Sequence, residues 1–184
     1  MKKALIVVDY STDFVATDGA LTAGEPAQAL DNYIADSIKT FIEDGDYVVI
    51  ANDLHTLDDP YHPETKLFPP HNIKGTSGRE IYGKTGDTFK QFKQHENLFF
   101  TDKRRYSAFA GTEVDLRLRE RSINEVWLVG VVTDICILHT AMSAYNLGYN
   151  IVIPEAGVAS FNQTGHEWAL DHFENSLGAK IIRN

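Results

Sequence analysis

Cysteine is almost absent from this chain, which has a single one, Cys136, among 184 residues. One cysteine cannot form a disulfide within the chain, so the fold must be stabilised by its hydrophobic core. A length of 184 residues allows a core that is large enough to do so without a structural metal. We therefore expect one domain over residues 1–184, and the lack of disulfides favours a cytoplasmic protein.

The chain also lacks an apolar run of transmembrane length, and the short apolar stretch near its start ends at Asp9. We therefore expect neither a membrane span nor a signal peptide. Basic residues are in the minority, with 17 lysines and arginines against 26 aspartates and glutamates, a formal net charge of -9. Because like charges repel, this excess disfavours nucleic acid and anionic membranes as partners and favours a small, weakly charged ligand.

Short apolar runs rich in β-branched residues alternate with helical periods along the sequence. The runs are typical of strands buried on both faces, and they cover 3–8, 47–52, 125–132 and 150–153, with weaker candidates at 98–100 and 179–184. Helices are predicted near 30–41, 114–118, 134–147 and 166–177, the last two closed by Gly148 and Gly178. The alternation predicts an α/β fold, with a mostly parallel six-stranded sheet and helices on both faces, in three layers.

The segment from about 54 to 96 interrupts this alternation. It contains four of the seven histidines, several prolines and little hydrophobic periodicity. A long irregular segment within a compact domain usually has a function. We interpret it as an insertion that forms part of a site.

Polar residues stand at the ends of four predicted strands: Asp9, Asp53, Lys103 and, just after the fourth, Cys136. In an open parallel sheet the ligand crevice lies beyond the carboxyl ends of the strands, so these residues should converge there. A carboxylate, an ammonium and a thiol form an acyl-transfer site. Cys136 would attack a carbonyl carbon, Asp9 would take the thiol proton, and Lys103 with the first helical turn would lower the pKa of the thiol.

Each of the three residues also has a purely structural interpretation. Cys136 could be a small core residue, Asp9 could cap a turn, and Lys103 could belong to a solvated charge cluster. Only their common position at strand ends favours catalysis.

A metal site is predicted next to these residues. Asp53 and His55 follow the second strand, and the insertion supplies His62, Glu64 and His71. One carboxylate and two imidazoles commonly bind a divalent transition metal ion, so we predict ligation by Asp53, His55 and His71. Glu64 is the expected fourth ligand, with His62 or no protein group as alternatives. This set suits zinc, our first expectation, and also iron or manganese.

Three aromatic residues lie near these polar positions in the sequence: Phe14, Phe68 and Tyr106. Scattered aromatic residues usually belong to a core. If they line the site instead, their rings would stack on a flat substrate.

Five separated motifs resemble those of nicotinamidases, including the pyrazinamidases, in the isochorismatase-like cysteine hydrolase superfamily. They are, in order, IVVDYSTDF, ANDLH, FPPH, TDKRRYSAF and VGVVTDICILHTA. The resemblance implies an isochorismatase-like fold and hydrolysis of nicotinamide to nicotinate and ammonia, in NAD salvage, through a thioester on the cysteine. It also implies that Asp9, Lys103 and Cys136 form a catalytic triad and that pyrazinamide is accepted.

The same resemblance implies further features of the site. The metal would be held by the carboxylate and the two imidazoles named above, and it would hold the pyridine nitrogen of the substrate. A cis peptide bond is expected between Val131 and Val132. The N–H groups of Val132 and Cys136 would then form an oxyanion hole.

Other functions stay open at this point. The chain could be another amidohydrolase of the superfamily, acting on N-carbamoyl compounds or other aromatic carboxamides. An isochorismatase is disfavoured, because isochorismatases of this fold lack the cysteine and the metal ligands. A non-catalytic thiol sensor would not need Asp9, Lys103 and the metal cluster together. We expect self-association into a homo-oligomer only because similar proteins form such assemblies.

Overall fold

A computed structural model describes residues 2–183. Seven strands and seven α-helices follow one another along this part of the chain. The strands are β1 Lys3–Val8, β2 Tyr47–Asp53, β3 Leu98–Lys103, β4 Glu125–Val131, β5 Asn150–Pro154, β6 Val158–Ala159 and β7 Lys180–Ile182. The helices are α1 Thr12–Val15, α2 Glu25–Gln28, α3 Asp31–Glu43, α4 Gly83–Phe92, α5 Val114–Glu120, α6 Leu138–Asn146 and α7 Gln163–Leu177.

The strands form one sheet in the order β3-β2-β1-β4-β5-β7, and the two-residue β6 pairs with β4. Every pairing between the strands of residues 2–183 is parallel. The six predicted strands are therefore confirmed. The sequence did not indicate β6, because two residues are too short to show a period.

The central strands are buried on both faces, which explains their continuous apolar sequences. In β1, Ala4, Ile6 and Val8 face one hydrophobic cluster, whereas Leu5 and Val7 face another on the opposite side of the sheet. The first cluster includes residues of α5, α6 and α7, and the second includes residues of α1, α2 and α3. The predicted three-layer α/β/α architecture is confirmed.

The insertion is more regular than the sequence predicted, since its last part forms α4. The sequence of α4 has two glycines and little apolar periodicity, so it gave no clear helical signal. The helix is fixed instead by α3, because the Asp31 carboxylate accepts the N–H groups of Lys84 and Thr85 at 2.8 and 2.9 Å. This external cap satisfies two donors in the first turn of α4.

The helix predicted over 134–147 also differs in its first turn. Residues Thr133–Ile137 form a π-helical turn, and only then does α6 begin. Such turns occur often at functional sites. At the other end Gly148 has a φ of +80°, so it closes α6 as predicted.

No helix within residues 2–183 combines the length and the apolar character that crossing a bilayer requires.

Substitution of Ile6 tests how much β1 contributes to the stability of the fold, because the Ile6 side chain is fully buried against the helices on one face of the sheet. We expect Ile6→Ala to lower the free energy of unfolding by about 2–5 kcal/mol, through lost apolar contact and the cavity left behind. Leu116→Ala is the control, since Leu116 is 58% exposed, and it should change that free energy by less than about 0.5 kcal/mol. Urea denaturation followed by circular dichroism measures both. Equal losses would contradict the assignment of Ile6 to the core.

Candidate active site

The site lies where the chain changes direction across the sheet. From β1 the chain builds β2 and β3 on one side, and it then crosses to β4 on the other side of β1. The crevice at such a switch point is where open α/β sheets bind ligands. Asp9 follows β1, Lys103 ends β3, and Cys136 lies in the π-helical turn after β4.

An ion pair joins the ends of β1 and β3. The Lys103 ammonium lies 2.7 Å from Asp9 Oδ2 and 3.5 Å from Asp53 Oδ1, and all three side chains are buried. Lys103 also donates a hydrogen bond to the Arg105 carbonyl at 3.0 Å. Asp9 has a φ of +55°, a conformation that non-glycine residues adopt mainly where the surroundings enforce it. Its backbone N–H is held by the Ala51 carbonyl at 3.0 Å.

Burial and the neighbouring charges shift the pKa values of this pair. Burial raises the pKa of Asp9 to about 6, although the Lys103 ammonium opposes the shift. Burial alone would lower the pKa of Lys103, but the Asp9 and Asp53 carboxylates outweigh it and raise that pKa. Asp9 is therefore poised to exchange a proton near neutral pH, whereas Lys103 stays charged.

The Cys136 thiol lies close enough to Asp9 and Lys103 for both charges to act on its pKa, so the three side chains predicted to meet are brought together. The expected lowering of its pKa is not found. Burial raises the pKa of the Cys136 thiol well above its ordinary value, and the favourable charge of Lys103 does not compensate. The resting thiol is thus protonated, and a base must remove its proton when it attacks.

The backbone before Cys136 has two unusual features. The peptide bond between Val131 and Val132 is cis, as the motif resemblance implied. Gly130 has a φ of +119°, and a Cβ atom there would lie 2.0 Å from the Val8 carbonyl oxygen. Only glycine therefore allows β4 to approach the end of β1 at this point.

A second buried cluster lies beside Asp9 and Lys103. It consists of Asp53, His55, Glu64 and His71. Each offers one ligand atom, and these atoms all lie within 4.8 Å of one another. His71 Nε2 lies 3.7 Å from Asp53 Oδ2 and 3.6 Å from Glu64 Oε2, and His55 Nε2 lies 2.6 Å from Asp53 Oδ2. The two longer separations suit donors that share one ion with bonds of about 2.0–2.2 Å, and the 2.6 Å contact is a hydrogen-bond distance.

The chemistry of the cluster also fits a cation. His71 donates from Nδ1 to the Pro69 carbonyl at 2.8 Å, which turns Nε2 toward the carboxylates without a hydrogen-bond partner. Burial would lower the pKa of His71, but Asp53 and Glu64 outweigh it and raise that pKa to about 10. Buried carboxylates require compensation, and this nitrogen attracts either a proton or a metal ion.

His62 does not belong to the cluster, although the sequence left it as a possible fourth ligand. Its Nε2 donates to the Arg104 carbonyl at 2.9 Å, and its Nδ1 accepts the Glu64 N–H at 3.3 Å. Both ring nitrogens are therefore occupied. Glu64, in contrast, points its carboxylate at His71.

A cavity of about 380 Å³, including its open mouth, lies against Cys136. The three aromatic residues expected from the sequence all line it: Phe14, Phe68 and Tyr106. Sequence reasoning gave no lining role to four further residues. Leu21 and Phe161 are apolar residues outside the five motifs, whereas Val131 and Ile135 belong to the last motif.

Two further residues support the metal cluster and were given no role from the sequence. Arg79 donates from Nε to the Asp53 carbonyl at 2.9 Å. Asp13 accepts the N–H of Asn72, the residue after His71, at 2.7 Å. The only available signal was Asp13 itself, which stands in the same motif as Asp9.

Comparison with known proteins agrees with this geometry. The family model of the isochorismatase domain matches residues 3–183. The chain belongs to the isochorismatase family. This family member is 56% identical to the isochorismatase family protein PncA of Bacillus subtilis strain 168, over 98% of this chain and 99% of the relative.

Solved structures of the family superimpose closely. The nicotinamidase/pyrazinamidase PncA of Bacillus subtilis matches with a TM-score of 0.97, covering 99% of this chain and 100% of that one. The pyrazinamidase/nicotinamidase of Streptococcus mutans matches at 54% identity and a TM-score of 0.96, covering 98% and 100%. The pyrazinamidase of Pyrococcus horikoshii, solved in complex with zinc, matches at 26% identity and 0.86, covering 100% of both. The family and fold expected from the motifs are confirmed.

The ligand cluster predicts different effects for two buried histidines. His71→Ala removes one of the four donor atoms. Loss of a residue that only supports a ligand typically costs about 10- to 100-fold in metal affinity, so the zinc affinity of this variant should fall further than that. His62→Gln should lose at most about 10- to 100-fold, because His62 bonds the loop around Glu64 and not the ion. Competition with a zinc-binding dye measures both affinities. Equal affinities of the two variants would contradict the ligand set.

Proposed function

We propose that the chain is a nicotinamidase, which hydrolyses nicotinamide to nicotinate and ammonia in NAD salvage and also deamidates pyrazinamide. The observation that carries this proposal is the meeting of Asp9, Lys103 and Cys136 at one end of an aromatic cavity, next to a buried cluster able to bind a cation. Relatives that bear the nicotinamidase name over the whole length of the chain support the same reaction.

In the first half of the reaction Asp9 takes the thiol proton while Cys136 Sγ attacks the carboxamide carbon. The N–H groups of Val132 and Cys136 bind the oxyanion that forms on the carbonyl oxygen. Asp9 then gives its proton to the leaving nitrogen, the C–N bond breaks, and ammonia departs from a thioester on Cys136. Because the thiol pKa is raised, proton removal by Asp9 is essential to this step.

In the second half Asp9 takes a proton from water, whose oxygen attacks the thioester carbon. The C–S bond breaks, the proton returns to Cys136 Sγ, and the acid product leaves. Lys103 keeps its positive charge throughout and stabilises the carboxylate form of Asp9. The site thus returns to its starting protonation.

One divalent transition metal ion would be held by Asp53, His55, Glu64 and His71. Zinc is the first candidate, and iron and manganese are the others. When bound, the ion supplies a Lewis acid site for the ring nitrogen of the substrate and so helps to orient the carboxamide. Phe14, Phe68 and Tyr106 line the cavity and would stack against the aromatic ring.

The substrate class is tested with the purified holoprotein and a panel of amides. We expect ammonia release from nicotinamide and pyrazinamide, and much less from benzamide, because benzamide lacks a ring nitrogen. A chelator should reduce the rate, and added zinc should restore it. Faster release from an N-carbamoyl amino acid than from nicotinamide would instead assign the chain to another amidohydrolase of the family.

Covalent catalysis is tested at the nucleophile. Cys136→Ala should lower kcat for nicotinamide by at least about 10³-fold, because no other thiol is present in the chain. Zinc content and nicotinamide binding, measured by metal analysis and calorimetry, should stay near the wild-type values. Substantial ammonia release by this variant would refute a thioester mechanism.

A further inference from the structure

Phe161 is an unusual member of the cavity wall. Its side chain is 58% exposed, whereas the other side chains that line the cavity are buried or half-buried. Its ring therefore stands partly in solvent where the cavity opens. Phe161 has no role in the reaction steps or in the metal cluster, so its position at the mouth needs another explanation.

The residues on both sides of Phe161 are tied to a single carboxylate. Ser160 donates from Oγ to Asp134 Oδ1 at 2.7 Å, and Asn162 donates from Nδ2 to Asp134 Oδ2 at 3.4 Å. The Asn162 N–H also donates to Ser160 Oγ at 3.1 Å. Ser160 is buried, so its bond to Asp134 is shielded from water. Asp134 itself stands two residues before Cys136 in the same turn.

The start of α7 adds to this attachment. Asn162 caps the helix by accepting the Gly165 N–H at 3.1 Å. A Cβ atom on Gly165 would lie 2.1 Å from Asp134 Oδ2, so the carboxylate packs directly on the helix backbone. At the next residue, His166 Nδ1 lies 2.8 Å from Thr133 Oγ1, within hydrogen-bond distance. The loop that carries Phe161 is thus fixed to the turn that carries the nucleophile.

From these contacts we infer that Phe161 is a specificity-determining residue, whose ring limits the size of the substrate at the mouth of the cavity. Asp134 is a positioning residue that acts through Ser160 and Asn162. The inference rests on the proposed function for its choice of substrates. The attachment holds the Phe161 backbone at a constant place relative to Cys136. A substituent on the part of the substrate ring that faces the mouth therefore contacts the Phe161 side chain.

The first test compares two amides, nicotinamide and the bicyclic quinoline-3-carboxamide, on Phe161→Ala. The kcat/KM for nicotinamide should fall about tenfold, mainly through KM, because an apolar contact is lost. The ratio of kcat/KM values should shift at least about tenfold toward the bicyclic amide. Trp168→Ala is the matched control, because Trp168 is an equally exposed aromatic residue on α7 that does not line the cavity. It should leave the ratio unchanged.

The second test releases the loop without removing the ring. Ser160→Ala should shift the same ratio in the same direction by about threefold or more, whereas Ser160→Thr, which keeps the hydroxyl, should restore the wild-type ratio. A residue that only stabilises the fold would lower the melting temperature and affect both amides equally. Such a parallel loss would overturn the role of the attachment.

A third measurement does not depend on the reaction. Cys136 is the only thiol in the chain, so maleimide alkylation reports on this cavity, and the ratio of rates for two maleimides cancels the reactivity of the thiol itself. Phe161→Ala should raise the rate with N-phenylmaleimide relative to N-methylmaleimide at least about fivefold, and Trp168→Ala should not.

The outcomes separate the two proposals. If the wild-type protein releases no ammonia from any amide but the alkylation ratio shifts, the nicotinamidase proposal fails and the role of Phe161 at the mouth stands. If ammonia is released from nicotinamide and neither ratio changes in Phe161→Ala, the role of Phe161 is overturned while the proposed function stands.

Discussion

The buried ammonium of Lys103 lies between two buried carboxylates, those of Asp9 and Asp53, and the rest of the site depends on this contact. Asp9 belongs to the proposed acyl-transfer group and Asp53 to the cluster able to bind a metal ion, so one cation joins both parts. Removing one partner of a buried ion pair typically costs about 3–5 kcal/mol, because the other charge is left uncompensated. The contact of Lys103 with Asp9 and Asp53 is possible only because parallel pairing brings the ends of β1, β2 and β3 to the same edge of the sheet.

This arrangement gives the two carboxylates different properties. Burial raises the pKa of Asp9, whereas the ammonium and the imidazoles of His55 and His71 outweigh burial at Asp53 and hold its pKa well below the usual range. Asp9 can therefore exchange a proton, and Asp53 stays ionised as a metal ligand must. Two residues of the same type, at the ends of neighbouring strands, are thus specialised by their surroundings alone.

Much of this could be predicted from the sequence, because it depends on local patterns. Apolar runs mark the strands, and parallel strands place Asp9, Lys103 and Cys136 at one edge of the sheet. Other features depend on distant contacts. The helix α4 is capped by Asp31, 53 residues before Lys84, and Asp13 supports the loop that carries His71. The raised pKa of the thiol reflects its burial, which no local pattern reports. Roles that rest on such contacts become visible only in three dimensions.

The close approach of Gly130 to Val8 ties the nucleophile to the base through the backbone. The two residues are paired across β4 and β1, and Asp9 directly follows Val8. Any side chain at position 130 would force these strands apart and carry Cys136 away from Asp9, even if every reacting group were kept. The absence of a side chain at position 130 is therefore a requirement for the proposed chemistry. The main chain, and not the reacting groups themselves, sets the spacing between them.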